Sequence, residues 1–190
     1  MVDVSPELSD ESLVKAALAG DDTSFARLVC KHKRRVFGLA ARFARNGDEL
    51  EDICQETFIK VYEKLSTFRN EAPFENWLSR IAVRVCHDAL RSRRHEKHQL
   101  NVDLYEIDVR DVAGESRQEV RQAREFLRFA MSKLSADEQL VITLLELEEL
   151  SVRETAEYTG WSEANVKVRA FRARHALKKI VEEHDGRKFR

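Results

Sequence analysis

The sequence predicts an all-α fold of two small helical domains joined by a linker, and three observations carry that prediction. Glycine and proline are scarce, with 6 and 2 copies in 190 residues. Apolar residues recur at three- and four-residue spacing over long stretches, as one buried helix face requires. Helix-start residues and glycines punctuate those stretches at regular intervals. A chain of 190 residues can bury one medium core or two small ones, and 43% hydrophobic with 35% charged residues argues against disorder. Periodicity fades between His95 and Glu115, where Asp103, Glu106, Asp108, Asp111 and Glu115 accumulate, so domains are expected over 1–95 and 116–190 with an acidic linker over 96–115. A solvated tether and an acidic segment that mimics nucleic acid in a basic groove are both open readings of that linker.

The formal net charge is −1 and the isoelectric point about 6.6, so bulk charge says nothing in favour of nucleic acid and charge has to be read locally. No run of 18 or more apolar residues occurs and no basic segment precedes an apolar one at the N-terminus, so neither a membrane span nor a signal peptide is expected and the cytoplasm is the expected location. Cys30, Cys54 and Cys86 are odd in number, widely spaced and each within a helical pattern; they are expected to be buried reduced thiols.

The elements follow in order. Ser9 caps a short helix that Gly20 stops. Asp21 to Ser24 supply caps for a longer helix whose apolar contacts are Phe25, Leu28, Val29, Val36, Leu39, Ala40 and Phe43, ended by Asn46-Gly47. Asp48, with Glu51 three residues on, makes a capping-box-like start for an acidic helix. Leu50, Ile53, Cys54, Phe58, Val61, Tyr62 and Leu65 form its expected buried face, leaving Glu49, Asp52, Gln55, Glu56 and Lys60 outward. Pro73 breaks the chain, and a basic helix runs from Phe74 to about Arg94 on a stripe of Leu78, Ile81, Ala82, Val85 and Ala89. Beyond the linker, Val120, Ala123, Leu127, Ala130 and Leu134 mark one helix, and Leu140, Val141, Leu144, Leu145 and Leu147 a second, opened by the Ser135–Glu138 capping box. Ser151–Glu154 is another capping box, starting a short helix that Gly160 ends, and Ser162 caps the last long one.

Two segments carry candidate chemistry. In the first, Phe68, Arg69, Asn70, Glu71, Ala72, Pro73 and Phe74 precede a basic helix holding Trp77, Arg80, Arg84, His87 and Asp88. Aromatics beside cations suit single-stranded bases, which stack on rings and need a polar pocket when flipped. Phe74 and Trp77 read equally as hydrophobic anchors fixing the entry into the helix.

In the second, Ala156, Gly160 and Val166 have the spacing of a helix-turn-helix: a small residue where helices approach, glycine in the turn, an aliphatic plug after it. Val166, Ala170, Ala173, Leu177 and Ile180 make the core stripe of the last helix, leaving Lys167, Phe171, Arg172, Arg174 and Lys178 mostly on the other side. A basic outward face alone reads as ordinary solvated surface; on the second helix of such a pair it fits the DNA major groove.

Together DELEDICQETFIKVY, TFRNEAPFENWLSRIAVRVCHDALR and ELSVRETAEYTGWSEANVKVRAFRARHALK resemble the extracytoplasmic-function sigma factors, group IV of the sigma-70 family of bacterial transcription initiation factors. The resemblance spans nearly the whole chain. It implies a region 2 helical bundle and a region 4 helix-turn-helix on a flexible linker, since the domain that primary sigma factors carry between them has no room here. It further implies an alternative sigma factor that is no enzyme, has no cofactor, metal or catalytic residues, and is held inactive by an anti-sigma factor until a stress response.

By the same resemblance, Asp52, Gln55 and Glu56 dock on the β′ clamp coiled coil of core RNA polymerase, with the β flap as a further polymerase contact. Asn70, Phe74, Trp77, Arg80, Arg84, His87 and Asp88 lie near −10 promoter DNA, and Lys167, Arg169, Phe171, Arg172 and Arg174 near the −35 element.

Two other classes stand beside this one. A stand-alone helix-turn-helix repressor would bind duplex DNA tightly without polymerase. A metal enzyme is suggested by His95-Glu96-Lys97-His98, but the spacing is not HExxH and the sequence places no third ligand nearby.

Overall fold

A computed structural model describes the backbone of residues 8–100 and 115–188; within it, side chains are described over 8–94 and 121–184. Positions 101–114 of the expected linker lie outside the described residues, as do the side chains of His95 and His98. Every regular element among the described residues is helical. The chain divides into two compact units, Met1–Cys86 and His87–Arg190.

In the first unit, α1 (Asp10–Leu18) packs on α2 (Asp22–Ala41), which packs on α3 (Gly47–Lys64). A single 3-10 turn, Leu65–Thr67, then leads into the loop before α4 (Phe74–Leu100). Each start has a chemical cause. Ser9 accepts the Ser12 N–H at 3.2 Å to open α1, and Asp21 accepts the Thr23 N–H at 3.0 Å to open α2. Gly20 joins these two helices at φ 95°, a conformation that costs other residues free energy.

The cap of α3 differs from the expected Asp48 and Glu51. Asn46 accepts the Glu49 N–H at 2.9 Å, and Glu49 accepts the Arg45 N–H at 2.6 Å. The earlier amide wins because Asn46 is the residue whose backbone is still extended, at φ −146°, and so can turn its side chain onto the first free N–H groups.

Leu13, Val14, Leu28, Val36, Val61, Leu65, Phe74, Leu78 and Ile81 form the core of this unit, with Phe25, Cys54, Phe58, Phe68 and Trp77 packed around it. Tyr62, expected in that core, is 53% exposed; Thr57 is buried in the stripe of α3 and donates its hydroxyl to the Ile53 carbonyl at 2.7 Å. The helix continues six residues past Arg94, through HEKHQL, a stretch without glycine or proline to stop it. Cys86 is buried as expected and Cys54 half-buried, its thiol pushed up first by burial and then by Glu51, but Cys30 is exposed on α2.

The second unit contains α5 (Glu115–Lys133), α6 (Ala136–Ile142) continued by a π-helical turn over Thr143–Leu147, α7 (Val152–Thr159) and α8 (Glu163–Lys188). Both capping boxes form: Glu138 takes the Ser135 N–H at 2.9 Å, and Glu154 the Ser151 N–H at 2.8 Å. The core comprises Leu134, Val141, Ile142, Ala156, Val166, Ala170 and Ala173. Ala123 and Leu127, expected in it, are exposed, as is Leu147. Among the described residues α5 is covered at Phe126, whose ring meets His184 of α8 at 4.1 Å, and at its C-terminal end, where Ala130 and Leu134 are buried.

Candidate functional site

On α3 the buried positions Ile53, Thr57 and Val61 fix the helix rotation, and Asp52, Gln55 and Glu56 come out exposed on the opposite side. Glu56 pairs with Lys60 at 3.1 Å; neither Asp52 nor Gln55 has a partner among the described residues. The same side carries Ile59, 45% exposed, and Tyr62, whose ring meets Phe25 edge-on at 4.9 Å. The outward strip of α3 is therefore acidic at its start and apolar toward its end. Sequence reading missed the apolar half. The i, i+3, i+7, i+10 series Asp52, Gln55, Ile59, Tyr62 was its available signal.

The loop before α4 is built around a buried ring. Phe74 is 3% exposed and lies 5.4 Å from Phe68, 5.5 Å from Trp77 and 5.2 Å from His32, centroid to centroid. Of the two readings the sequence left open for Phe74, the burial supports the anchor: as the first residue of α4 it enters the core and holds the loop, so the loop's outward groups are others. Asn70 is exposed at φ 56°, a left-handed conformation that asparagine tolerates better than most residues. Trp77, Arg80 and His87 are half-buried, while Arg84 and Asp88 are exposed. Arg35 of α2 braces the start of α4, donating to Ser79 at 2.9 Å and pairing with Glu75 at 2.7 Å.

The helix-turn-helix has the expected geometry. Gly160 adopts φ 77° and donates its N–H to the Ala156 carbonyl at 2.9 Å, and Val166 is fully buried between α7 and α8. With Ala170 and Ala173 also buried, Lys167, Phe171, Arg172 and Arg174 are presented outward, Phe171 at 70% exposure.

The five residues expected near −35 DNA are not equivalent. Arg169 is half-buried, donates to Asp137 at 3.0 Å and lies 4.1 Å over the Trp161 ring. Burial pushes the Asp137 carboxyl up, but the hydrogen bond from Arg169 helps to bring it below its ordinary value. Arg169 thus ties α8 to α6. Arg174 holds Glu146 through two nitrogens, at 3.1 and 2.7 Å. Lys167 and Arg172 have no such partner among the described residues and are the free cations of this face. Among the described residues no group of three His, Cys, Asp or Glu side chains is arranged for a metal ion.

Two protein-family models match this chain: sigma-70 region 2 over residues 28–96 and sigma-70 region 4 over residues 124–177. Across 187 residues the chain is 31% identical to the ECF RNA polymerase sigma-E factor of Escherichia coli K12, covering 94% of this chain and 97% of the relative. The chain belongs to the ECF sigma factors of the sigma-70 family. Against the RNA polymerase sigma-H factor of Pseudomonas aeruginosa, this sigma factor is 32% identical over 181 residues, 91% of its own length and 94% of the relative's.

Two solved structures share the fold. One is CnrH in complex with the cytosolic domain of CnrY, at TM-score 0.58 and 24% identity, covering 92% of this chain and 97% of that one. The other is the sigma factor RpoE of Bartonella quintana in complex with the anti-sigma factor NepR, at TM-score 0.56 and 21% identity, covering 83% of this chain and 96% of that one. As an ECF factor the protein is an alternative sigma factor for RNA polymerase, a transcription initiation factor, and region 4 contains the helix-turn-helix of α7 and α8. No helix among the described residues is long and apolar enough to cross a membrane.

Proposed function

We propose that this ECF sigma factor, of the group IV type, acts without catalysis of its own: it docks on core RNA polymerase through the outer strip of α3 and presents α4 and α8 to a promoter. The observation that carries the reading is the exposure of Asp52, Gln55 and Glu56 on the face of α3 opposite its core stripe. Carboxylates followed by Ile59 and Tyr62 suit a basic and aliphatic helical partner, here the β′ clamp coiled coil, because the charges orient and the apolar pair excludes water. Region 4 takes the β flap as its polymerase contact.

At the −10 element, Asn70, Trp77, Arg80, Arg84, His87 and Asp88 supply the contacts and Phe74 sets the loop. At the −35 element, Lys167, Phe171 and Arg172 face the groove, with Arg174 toward the backbone and Arg169 positioning α8. The domains are those of 1–95 and 116–190, with 96–115 linking them. The protein works in the cytoplasm, needs no cofactor, and is held by an anti-sigma factor. Similarity in fold to a sigma factor solved with its anti-sigma factor supports that last point.

Core polymerase plus this protein should give promoter-specific run-off transcripts from a genomic promoter pool. Absence of transcripts across the pool overturns the reading. Gln55→Ala with Glu56→Ala should weaken β′ pull-down without lowering the melting temperature, and unchanged pull-down would refute the assignment of the α3 face. A free protein that shifts duplex promoter DNA as tightly as the holoenzyme does would favour a stand-alone repressor.

A further inference from the structure

One surface of the first unit carries none of the residues assigned to polymerase, −10 or −35 DNA. From Thr23 to Gly47 the sequence contains seven Lys and Arg and no Asp or Glu, in a chain whose net charge is −1. On α2 itself, core packing of Leu28, His32, Val36 and Leu39 turns Arg27, Lys33 and Arg34 to the opposite side. Arg27, Lys33 and Arg34 are all exposed there and have no carboxylate partner among the described residues. Lys31 pairs with Asp10 and Arg35 with Glu75, which sets the borders of the face.

Lys31 stands four residues after Arg27 and three before Arg34, and like charges at that spacing on one helix repel. Two further features lie in the same stripe. Phe37 is 48% exposed, and Gly38 sits in the helix interior with nothing within 4 Å of where a Cβ would stand. Glycine there weakens the helix without relieving any internal contact, and it leaves a flat step beside an open aromatic ring.

We infer that the outer face of α2 is a track for a single strand of nucleic acid, distinct from the positions assigned to −10 and −35 DNA. Arg27, Lys33 and Arg34 hold successive phosphates, Phe37 stacks a base, and Gly38 lets the strand approach the backbone. Three exposed cations with no carboxylate partner among the described residues are satisfied best by a polyanion, and an exposed ring flanked by them is the arrangement by which sequence-tolerant proteins stack bases. A duplex would satisfy the cations but would leave Phe37 without a purpose, since its bases are already stacked.

The test uses the full chain and a labelled oligothymidylate, followed by fluorescence anisotropy over a series of potassium chloride concentrations. Each phosphate contact on a single strand contributes about 0.7 to the slope of log affinity against log salt, so R27Q/K33Q/R34Q should lower that slope by about 2. F37A and G38L should weaken binding several-fold with the slope unchanged, because they remove stacking and access without touching charge. Circular dichroism melts should show all three variants folded, as every altered side chain is exposed. Wild-type affinity and slope in the triple variant overturn the inference. Equal competition by polyglutamate of matched charge, with F37A having no effect, also overturns it, in favour of an acidic protein partner. Gln55→Ala with Glu56→Ala should leave oligothymidylate binding intact, which separates this surface from polymerase docking.

Discussion

The two units reach the same helical architecture with opposite packing materials. The first surrounds the start of α4 with large side chains, Phe74, Trp77, Phe68 and Phe58, over Leu78 and Ile81. The second brings α7 and α8 together over small ones, Ala156, Ala170 and Ala173, with Val166 filling the angle. Bulky packing supports an irregular loop, because a ring anchored at 3% exposure fixes a segment that has few backbone hydrogen bonds of its own. Small residues let one helix seat another closely, which a recognition helix needs when its outward face must be placed to within a side chain. The first unit should therefore be sensitive to removal of volume and the second to its addition.

Phe74→Ala tests the first half and should have the largest effect, a loss of about 3–5 kcal/mol read by urea unfolding. The variant should also release the −10 loop, seen as faster proteolysis around Asn70. Ala170→Leu tests the second half and should cost about 1–3 kcal/mol, while the reciprocal Leu78→Ala behaves like Phe74→Ala. If Ala170→Leu is neutral, the close seating of α8 is not what holds the second unit.

Gly160→Ala comes next, at about 1–2 kcal/mol, because φ 77° places any Cβ against its own carbonyl. Transcription from promoters with an intact −35 element should fall further than stability alone predicts, since the turn sets the angle of α8.

The smallest effect concerns acid. The hydroxyls of Ser24 and Thr23 hold Asp21 down at about 2, from an ordinary 3.8, by hydrogen-bonding to its charged form. A folded value below the unfolded one stabilises above the unfolded pKa, and that contribution disappears as pH falls through about 2. Melting temperatures of the wild type and Asp21→Asn should differ by a constant amount above about pH 5 and converge on acidification, whereas a gap that persists at pH 2 would show the cap does not depend on its charge.

Legibility from the sequence followed how local the controlling interaction was. Ser135 with Glu138 and Ser151 with Glu154 were readable because both partners sit three residues apart on the same chain segment. The Ala156, Gly160, Val166 spacing was readable for the same reason. Tyr62 and Leu127 were misplaced because apolar spacing reports which residues share a face, not whether another element covers it. Phe74 was left open between base contact and anchor because aromatics beside cations look alike whether they stack on a base or on Phe68 and Trp77. The role of Arg169 was hidden as well, since Asp137 lies 32 residues away in sequence and only folding brings it within 3.0 Å.

By itself, then, the order of residues determined helix content, the two capping boxes, the turn before the last helix and the family to which the chain belongs, all of which rest on contacts between near neighbours or on motifs carried whole. Only the tertiary structure decided which side chains remain available to a partner. That choice depends on long-range burial and on ion pairs such as those of Arg35, Arg169 and Arg174, which take some cations out of circulation and leave Arg27, Lys33, Arg34, Lys167 and Arg172 exposed to solvent.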